Sequence, residues 1–510
     1  MIATTATAAV DYRDVQAIVR FGHGQLIRAC FYAVRIRNLA AARLWLRQAP
    51  VTAAVAQKPL PVSALQVAFT ADGMKALGVP DALVASFSPE FVSGMAGDAA
   101  RTRRLGDFGT SAPSQWRWGA DKRIPHLLVM LFATADAWPA TEAATLDSRW
   151  NEAFESIADL RTADLDRNEP FGFADGLSQP EIDWEQSRVI RKDETEYTNL
   201  STLGEFVLGY RNEYGRFTER PLLDRADGVD LPAALDAPHK LDLGRHGTYL
   251  VIRDLRQDVR GFWRYMHAQT GSRVEASRLA EAMMGRTMNG EPLVQCGGRS
   301  IQGIARTPEN ERLNHFLFSD DVNGERCPLG AHIRRANPRN SDFGGPAGGP
   351  ISRLMHSLGF AAKGWRDDRV GSTRFHRILR RGRKFGPTLT REQALQPPPP
   401  DDPERGIYFA CLNANIARQF EFIQNAWLMG AGFEGLSRER DPVLGTRSGD
   451  AQMAPCSTFT IPTAGGASRR LYDLPEFVTL RGGGYFFLPG VRALRYLATV
   501  GGQASGTSGG

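Results

Sequence analysis

The sequence predicts an α+β protein made of two similar halves. The first observation is that short apolar runs typical of strands are each followed at once by a pattern with helical spacing. The second is that this unit recurs in both halves of the chain. The third is composition, since 510 residues that are 42% hydrophobic and 23% charged suit a globular chain with more than one packed unit. We therefore expect two related sandwiches that share an interface, with helices covering one face of each sheet.

Three strand and helix units are predicted in the first half. Apolar runs begin the segments CFYAVRIRNLAAARLWLRQ (30–48), ALQVAFTADGMKALGV (64–79) and HLLVMLFATADAW (126–138). The third segment leads into ATEAATLDSRWNEAFESI (140–157), whose apolar residues recur with helical spacing. The first half should therefore hold at least three strands and the helices that cover them.

Two units of the same kind are predicted in the second half, at GTYLVIRDLRQDVRGFWRYM (247–266) and GIYFACLNANIARQFEFIQNAWL (406–428). The second of them is the clearer one. Its helical part places Ile416, Phe420, Ile423 and Trp427 on one face. Its strand part is apolar on both faces, which predicts a central strand.

Long segments without periodicity predict the connections. The stretch 186–245 is rich in charge, Asp and Pro, and it is the expected link between the halves. Irregular segments also cover 337–350 and 391–406, and loops of this length are usually functional or disordered. We assign an N-terminal domain to 1–210, a connection to 211–245, a C-terminal domain to 246–500 and a flexible tail to 501–510.

Charge and cysteine usage narrow the class of protein. The net charge is +6, but most arginines alternate with acids, so we expect no nucleic-acid partner. The densest basic run, RFHRILRRGRKFG (374–386), fits a solvated face or a phosphate-binding strip. The five cysteines are scattered, which predicts neither a disulfide framework nor a thiolate metal site. With no signal-like N-terminus and no apolar run long enough to span a bilayer, we expect a cytoplasmic protein with no membrane partner.

The segment NEPFGFADGLSQPEIDW (168–184) carries one carboxylate, Asp175, between small residues. One interpretation is a turn, because Asp-Gly is a common turn dipeptide and prolines lie on both sides. The other is functional: glycines allow the backbone to approach a flat, bulky ligand while one acid is held over it. The segment alone is compatible with both interpretations.

His332 stands out among nine histidines because of its neighbours in GERCPLGAHIRRANPR (324–339). A lone imidazole does not suit zinc, which needs three or four protein ligands. It does suit haem, whose porphyrin supplies four nitrogens and leaves one position to the protein. The arginines that follow could pair with the two propionates. The alternative is a structural core histidine beside an exposed basic strip.

Five short segments, in this order, resemble motifs of a single enzyme family. They are GFADG (172–176), AHIRRANPR (331–339), HRILRRGRKFG (376–386), GIYFACLNANIARQFEFIQ (406–424) and PEFVTLRGGGYFFLP (475–489). Together they resemble the dye-decolorizing peroxidase family, a group of haem enzymes. The resemblance covers about residues 160–490, and the long inserts are similar to the long-chain subclass of that family.

The resemblance implies a fold and a set of roles. The fold would be two ferredoxin-like domains forming a dimeric α+β barrel with antiparallel sheets and haem b in the C-terminal half. Asp175 would be the distal acid and base, Arg380 the distal arginine and His332 the axial ligand. If His332 is not the ligand, His356 or His376 is the next candidate, although their sequence contexts are much weaker. The other implied haem contacts are Arg334 at a propionate, Glu476 as acceptor of the second N–H of His332, and Ile407, Phe409, Gly172, Phe173, Ala174 and Gly176 in the pocket.

The implied partners are hydrogen peroxide and an organic electron donor such as a bulky aromatic compound, a phenol or a dye. Monomer and homo-oligomer both remain open. Two other functions fit part of the same residue set. A haem carrier or sensor would use His332 without needing Asp175 and Arg380, and the same pocket could serve removal of iron from haem.

Overall fold

A central antiparallel sheet with helices packed against it organises the chain. The computed structural model describes residues 9–189, 197–226, 228–294, 313–318, 320–340, 372–447 and 456–500. The strands are β1 (Arg28–Ile36), β2 (Ser63–Phe69), β3 (Leu127–Ala133), β4 (Phe154–Arg161), β5 (Glu181–Asp183), β6 (Leu200–Thr202), β7 (Leu222–Asp224), β8 (Lys240–Asp242), β9 (Thr248–Gln257), β10 (Leu379–Arg380), β11 (Arg383–Phe385), β12 (Gly406–Asn413), β13 (Phe459–Ile461), β14 (Arg469–Leu471) and β15 (Val478–Leu488).

Helices follow most of the central strands, as the sequence predicts. The α-helices are Ala17–Arg20, Leu39–Gln48, Ala71–Ala76, Asp81–Val84, Pro89–Ser93, Ala99–Leu105, Trp138–Thr145, Ser148–Ala153, Val259–Thr270, Arg273–Met284, His332–Ala336, Arg391–Leu395 and Val491–Leu497. The helix predicted after β12 has π-type hydrogen bonding in two segments, Ala417–Glu421 and Ile423–Leu428. Short 3-10 turns lie at Gly109–Ser111, Pro113–Gln115, Asp121–Arg123, Leu203–Glu205, Ser372–Phe375 and Phe433–Gly435.

The two halves of the central sheet repeat one strand order. In the first half the order across the sheet is β4-β1-β3-β2, and in the second half it is β15-β9-β12-β10. Taken along the chain, each half places its fourth strand beside its first, then its third and its second. Helices connect the first strand to the second and the third to the fourth in both halves. Two ferredoxin-like units are therefore present, as expected.

The barrel that the resemblance implied is not closed by the described strands. β15 pairs with β2 through one residue pair, Phe487 and Phe69, which joins the halves into one sheet. Among the described residues, β10 and β4 lie at the two open ends of that sheet. The contact between halves thus joins one strand of each, and it does not seal the opposite edges.

Burial on both faces accounts for the apolar strands. In β1, Tyr32 and Val34 pack into one hydrophobic cluster while the alternating Phe31 and Ala33 pack into another on the opposite face. This follows from the two-residue period of a strand, which sends successive side chains to opposite sides. A third cluster gathers the helices Val259–Thr270 and Arg273–Met284 beside the GFADG segment.

One sequence-based expectation about secondary structure changes on the structure. The residues 154–157 were expected to be helical, but they begin β4, which pairs antiparallel with β1. Tertiary pairing outweighs helical spacing here, and Phe154 packs its ring against Trp45 and Trp150 at the strand's start. The predicted tail 501–510 lies outside the described residues. None of the helices in the described ranges combines the length and hydropathy needed to cross a bilayer.

Candidate active site

A cavity beside the second half of the sheet brings together most of the predicted site residues. It is lined by the loop that contains Asp175, by β9 and β12, by the helix His332–Ala336 and by the segments around Phe420 and Val443. Much of its wall is apolar, with Phe173, Leu255 and Ile333 among the lining side chains. The cavity therefore offers a hydrophobic space into which a few polar groups project.

His332 is the first residue of its helix and lies on the cavity wall. Its Nδ1 is 2.9 Å from Oδ2 of Asp441, whereas Nε2 has no hydrogen-bond partner among the described residues. The carboxylate is fully buried and its other oxygen accepts hydrogen bonds from the backbone N–H groups of Val443 and Leu444. Burial alone would lower the pKa of His332, but the Asp441 carboxylate outweighs burial and raises it.

Asp441, and not Glu476, is the acidic partner of His332. The expectation for Glu476 was wrong because that carboxylate is engaged elsewhere: one oxygen accepts the hydroxyl of Thr110 and the other accepts the backbone N–H of Arg447 at 3.1 Å. The residues around Asp441 indicate only a turn. Asp441 precedes a proline in SRERDPVLGTR (437–447), and Asp-Pro pairs favour the start of a turn.

Asp175 lies in a tight loop, and that loop also lines the cavity. Gly172 and Gly176 on either side have φ values of 102° and 76°, which favour glycine. One carboxylate oxygen, Oδ1, is 2.6 Å from the N–H of Gly176 and 3.2 Å from a guanidinium nitrogen of Arg380. The segment is thus a turn and a presented acid at once, so the two interpretations of GFADG are compatible.

Arg380 reaches Asp175 from β10, the two-residue strand at one end of the sheet. Its second guanidinium nitrogen donates to the carbonyl of Ser178 at 3.2 Å. Asp175 and Arg380 are 205 residues apart in the chain, and their side chains are 48% and 35% exposed. The fold therefore forms a carboxylate–guanidinium pair that remains accessible from the cavity.

Arg334 does not face the cavity, so its expected role at a propionate is wrong for this geometry. Its guanidinium is buried against the carbonyl of Cys327 and the side chain and carbonyl of Asp321. A helical residue two positions after His332 points about 200° around the helix axis from it, which turns Arg334 away from the cavity. Arg339, at the end of the same segment, lines the cavity instead, as do Arg286 and Arg377.

Of the six other predicted pocket residues, five line the cavity. Ile407 and Phe409 are two residues apart in β12, so their side chains lie on the same face of the strand, and both line the cavity. Phe173, Ala174 and Gly176 line it as well. Gly172 is behind this surface, where a Cβ atom would come within 3.0 Å of the Met288 side chain. His376 lines the cavity with its Nδ1 2.5 Å from the Arg418 carbonyl, and His356 lies outside the described residues.

The chain is similar to known proteins over most of its length. No family model matches the chain. A multifunctional dye peroxidase of an Amycolatopsis species is 30% identical over 453 residues, which cover 85% of this chain and 82% of that protein. The chain belongs to the dye-decolorizing peroxidase family.

Other members of the dye-decolorizing peroxidase family agree in length and in fold. A dye-decolorizing peroxidase of Mycetinis scorodonius is 28% identical over 86% of this chain and 77% of that protein. A solved DyP-type peroxidase of Auricularia auricula-judae superposes with a TM-score of 0.69 at 22% identity, covering 96% of this chain and all of the other. The chain is accordingly a peroxidase of the long-chain type, an oxidoreductase that acts on peroxide.

Dye-decolorizing peroxidases are haem enzymes, and the donor set of this cavity fits haem. It offers Nε2 of His332, apolar walls and several guanidinium groups. The Arg286 guanidinium, for example, donates to the Gly290 and Leu313 carbonyls and to the Ser178 hydroxyl. Burial, together with the nearby charges of Arg339 and Arg380, lowers the pKa of Arg286 to about 9. A bound carboxylate would offset this excess of positive charge.

Glu169 is a cavity residue that the sequence reasoning missed. Its carboxylate is buried and accepts hydrogen bonds from the N–H groups of Phe171 and Phe173 and from the amide of Gln257. Burial outweighs these contacts and raises the pKa of Glu169 to about 7. The residue starts the loop that carries Asp175, and a Glu before Pro170 gives no sequence signal beyond that of a loop.

Proposed function

We propose that this peroxidase binds haem b through His332 and uses Asp175 and Arg380 to cleave hydrogen peroxide, oxidising phenolic compounds and dyes. One observation carries the proposal. The Asp175–Arg380 pair, with its atoms 3.2 Å apart, and the uncommitted Nε2 of His332 belong to the same cavity. A proton-transfer pair and a metal ligand in one largely apolar space are the protein groups that peroxide cleavage requires.

His332 would hold the haem iron through Nε2, and Arg339, Arg377 and Arg286 are the nearest candidates for the propionates. Haem supplies, when bound, the iron centre that takes up peroxide and provides electrons for cleavage of the O–O bond. Asp441 accepts the N–H at Nδ1, so Nε2 is left as the lone-pair donor toward the metal. The same hydrogen bond fixes the orientation of the ring and increases its basicity.

Asp175 moves the proton. An ionised carboxylate accepts a proton from one oxygen of hydrogen peroxide and returns it to the other oxygen, which leaves as water. Its partly exposed side chain supports this role, because the group must reach both oxygens in turn. The hydrogen bond from the Gly176 N–H to Oδ1 holds the carboxylate in place at the cavity.

Arg380 stabilises charge. Negative charge develops on the departing oxygen as the O–O bond breaks, and a guanidinium held in an apolar cavity stabilises it far better than bulk water does. The ionic contact with Asp175 also aligns the two groups toward the same side of the cavity. Arginine suits this role because its planar guanidinium group carries a delocalised positive charge and presents several N–H donors in a fixed geometry.

The proposed donors are phenolic compounds and dyes. A dye-decolorizing peroxidase with a TM-score of 0.68 to this chain was solved in complex with 2,6-dimethoxyphenol. A haem carrier or an iron-releasing protein is not favoured, because neither function needs a paired carboxylate and guanidinium beside the ligand. A cytoplasmic location and the domain limits 1–210, 211–245 and 246–500 stay predictions from the sequence.

The test compares Asp175→Asn with Asp166→Asn, a nearby surface carboxylate that pairs with Lys384. We expect the purified wild type to show a haem absorbance band that changes when peroxide is added, and to oxidise 2,6-dimethoxyphenol. Asp175→Asn should keep the band but lose activity by ~10²-fold or more, in the range that removal of a general acid–base group costs. Equal activity of the two variants would overturn the role of Asp175, and absence of the band in wild type would overturn the role of haem.

A further inference from the structure

The side-chain amide of Gln179 forms hydrogen bonds with both the backbone N–H and the backbone carbonyl of Arg380. Its Oε1 accepts the backbone N–H of Arg380 at 3.0 Å, and its Nε2 donates to the backbone carbonyl of Arg380 at 3.2 Å. A primary amide that bonds both groups of a single residue reproduces the pattern that a neighbouring strand would offer. Gln179 also lines the cavity, four residues after Asp175.

The position of Arg380 in the sheet explains why it needs such a partner. β10 pairs with β12 on one side only, and the next residue, Arg381, directs its N–H to the Ala410 carbonyl of β12 at 2.7 Å. Because successive residues of a strand point their polar groups in opposite directions, those of Arg380 face the free edge of the sheet. Gln179 satisfies these two groups, which β12 cannot reach.

Ser178, the residue before Gln179, contacts the guanidinium end of the Arg380 side chain. The Ser178 carbonyl accepts a hydrogen bond from the guanidinium of Arg380 at 3.2 Å, and the Ser178 hydroxyl accepts one from Arg286 at 2.7 Å. Pro180 follows and restricts the backbone of Gln179 to extended conformations. One segment, 175–179, therefore carries the acid and fixes the arginine at its backbone and at its side chain.

We infer that Gln179 is a positioning residue that fixes Arg380 relative to Asp175 and thereby controls the rate of peroxide cleavage. The inference rests on the proposed roles of those two residues. Gln179 itself acts through Arg380, because its side-chain amide is committed at both ends to the arginine backbone. These two hydrogen bonds matter because a shift of about 1 Å in a catalytic group can cost ~10²-fold in rate.

The test uses Gln179→Met, which keeps the length of the side chain and removes both hydrogen bonds. Gln269→Met is the matched control, in the exposed last turn of the helix Val259–Thr270. Stopped-flow absorbance after mixing with peroxide should give a rate roughly tenfold lower for Gln179→Met and an unchanged rate for Gln269→Met, within the range expected for a displaced group. The haem content and the ferric spectrum should equal those of wild type.

Two further measurements separate positioning from a purely structural role. Deuterium uptake in a peptide covering 379–385 should be faster in Gln179→Met, because the Arg380 N–H loses its acceptor. Cyanide should bind the ferric variant more weakly, as a misplaced guanidinium stabilises a bound anion less well. A lower melting temperature with wild-type peroxide and cyanide behaviour would overturn the inference.

The double variant Gln179→Met/Arg380→Leu distinguishes failure of this inference from failure of the proposed function. If Gln179 acts through Arg380, the double variant reacts no more slowly than Arg380→Leu alone. A slow Arg380→Leu beside a wild-type Gln179→Met would overturn the role of Gln179 only. A wild-type rate for Arg380→Leu would overturn the proposed function of Arg380 itself.

Discussion

Two pairs of ionisable side chains meet at the cavity wall but differ in exposure. The His332–Asp441 pair has its atoms 2.9 Å apart, with the carboxylate 0% exposed and the imidazole 23% exposed. The Asp175–Arg380 pair has its atoms 3.2 Å apart, with side chains 48% and 35% exposed. Similar distances therefore occur in one buried and one accessible environment.

The difference in exposure corresponds to a difference in task. Asp441 is fixed by two backbone N–H donors and by His332, so it has no freedom to exchange protons with solvent. Such a carboxylate suits the orientation of a metal ligand. Asp175 accepts fewer contacts and meets the cavity, as a group that binds and releases protons must. The first pair should govern haem binding, and the second pair should govern the reaction with peroxide.

Replacement of the proposed ligand should produce the largest effect. In His332→Ala we expect folded protein that carries little haem, because the only proposed bond between protein and iron is lost. The measurement is haem absorbance per mole of purified protein. His239→Ala, an exposed histidine, is the control and should load haem as wild type does. Full haem content in His332→Ala would exclude His332 as the ligand.

Replacement of its buried partner should have the next largest effect. Asp441→Asn keeps the shape, but its amide must direct an N–H group either at His332 or at the donors of Val443 and Leu444. Haem should be lost to a scavenging protein about 10- to 100-fold faster, the usual cost of removing a metal ligand's partner. Asp175→Asn should release haem at the wild-type rate. Equal rates of haem loss from both variants would contradict the claim that only the His332–Asp441 pair governs haem binding.

These two pairs also show how far the sequence could lead. His332, Asp175 and Arg380 lie in short motifs whose residue types are tied to their chemistry, so they could be named before the fold was known. Asp441 could not, since it meets His332 across 109 residues of chain and only the loop geometry brings it there. The two repeated α+β units followed from strand and helix patterns, and the family resemblance implied that they are ferredoxin-like. Closure of a barrel depends on edge pairing that local patterns do not encode.

The direction of the Arg334 side chain could likewise not be predicted from the sequence. Three arginines follow His332 within seven residues, and which of them faces the cavity depends on the phase of a five-residue helix. Helical phase is well defined only once the first residue of the helix is known. Arg334 is buried on the far side, and Arg339, beyond the helix end, reaches the cavity.

Glu169 should make stability depend on pH. Burial raises its pKa in the folded protein to about 7, from an ordinary value of 4.5, so folding favours the protonated form. The resulting stabilisation is complete below pH 4.5 and is lost as the pH rises toward 7, by up to about 3 kcal/mol. Urea unfolding of wild type and Glu169→Gln across pH 4 to 8 should therefore give curves that diverge in this window. If the unfolding free energies of the two proteins change in parallel with pH, the raised pKa of Glu169 is wrong.

Arginine replacements should show which guanidinium group pairs with a propionate. Arg377→Met should weaken haem retention by about 1.5–3 kcal/mol if its guanidinium pairs with a propionate. Arg334→Met should leave retention unchanged and lower the melting temperature, because it leaves the buried Asp321 without its cation. The measurements are the rate of haem loss and thermal unfolding. Faster haem loss from Arg334→Met, with unchanged retention in Arg377→Met, would assign the propionate contact to Arg334.

The central claim is that Asp175 and Arg380 act as one unit on peroxide, separately from the His332–Asp441 pair. The most direct test is stopped-flow absorbance of Asp175→Asn, Arg380→Leu and the double variant after mixing with peroxide, at equal haem content. The account predicts that each single variant is slower by ~10²-fold or more and that the double variant matches the slower single one. Rate losses that multiply in the double variant, or wild-type rates in both single variants, would contradict it.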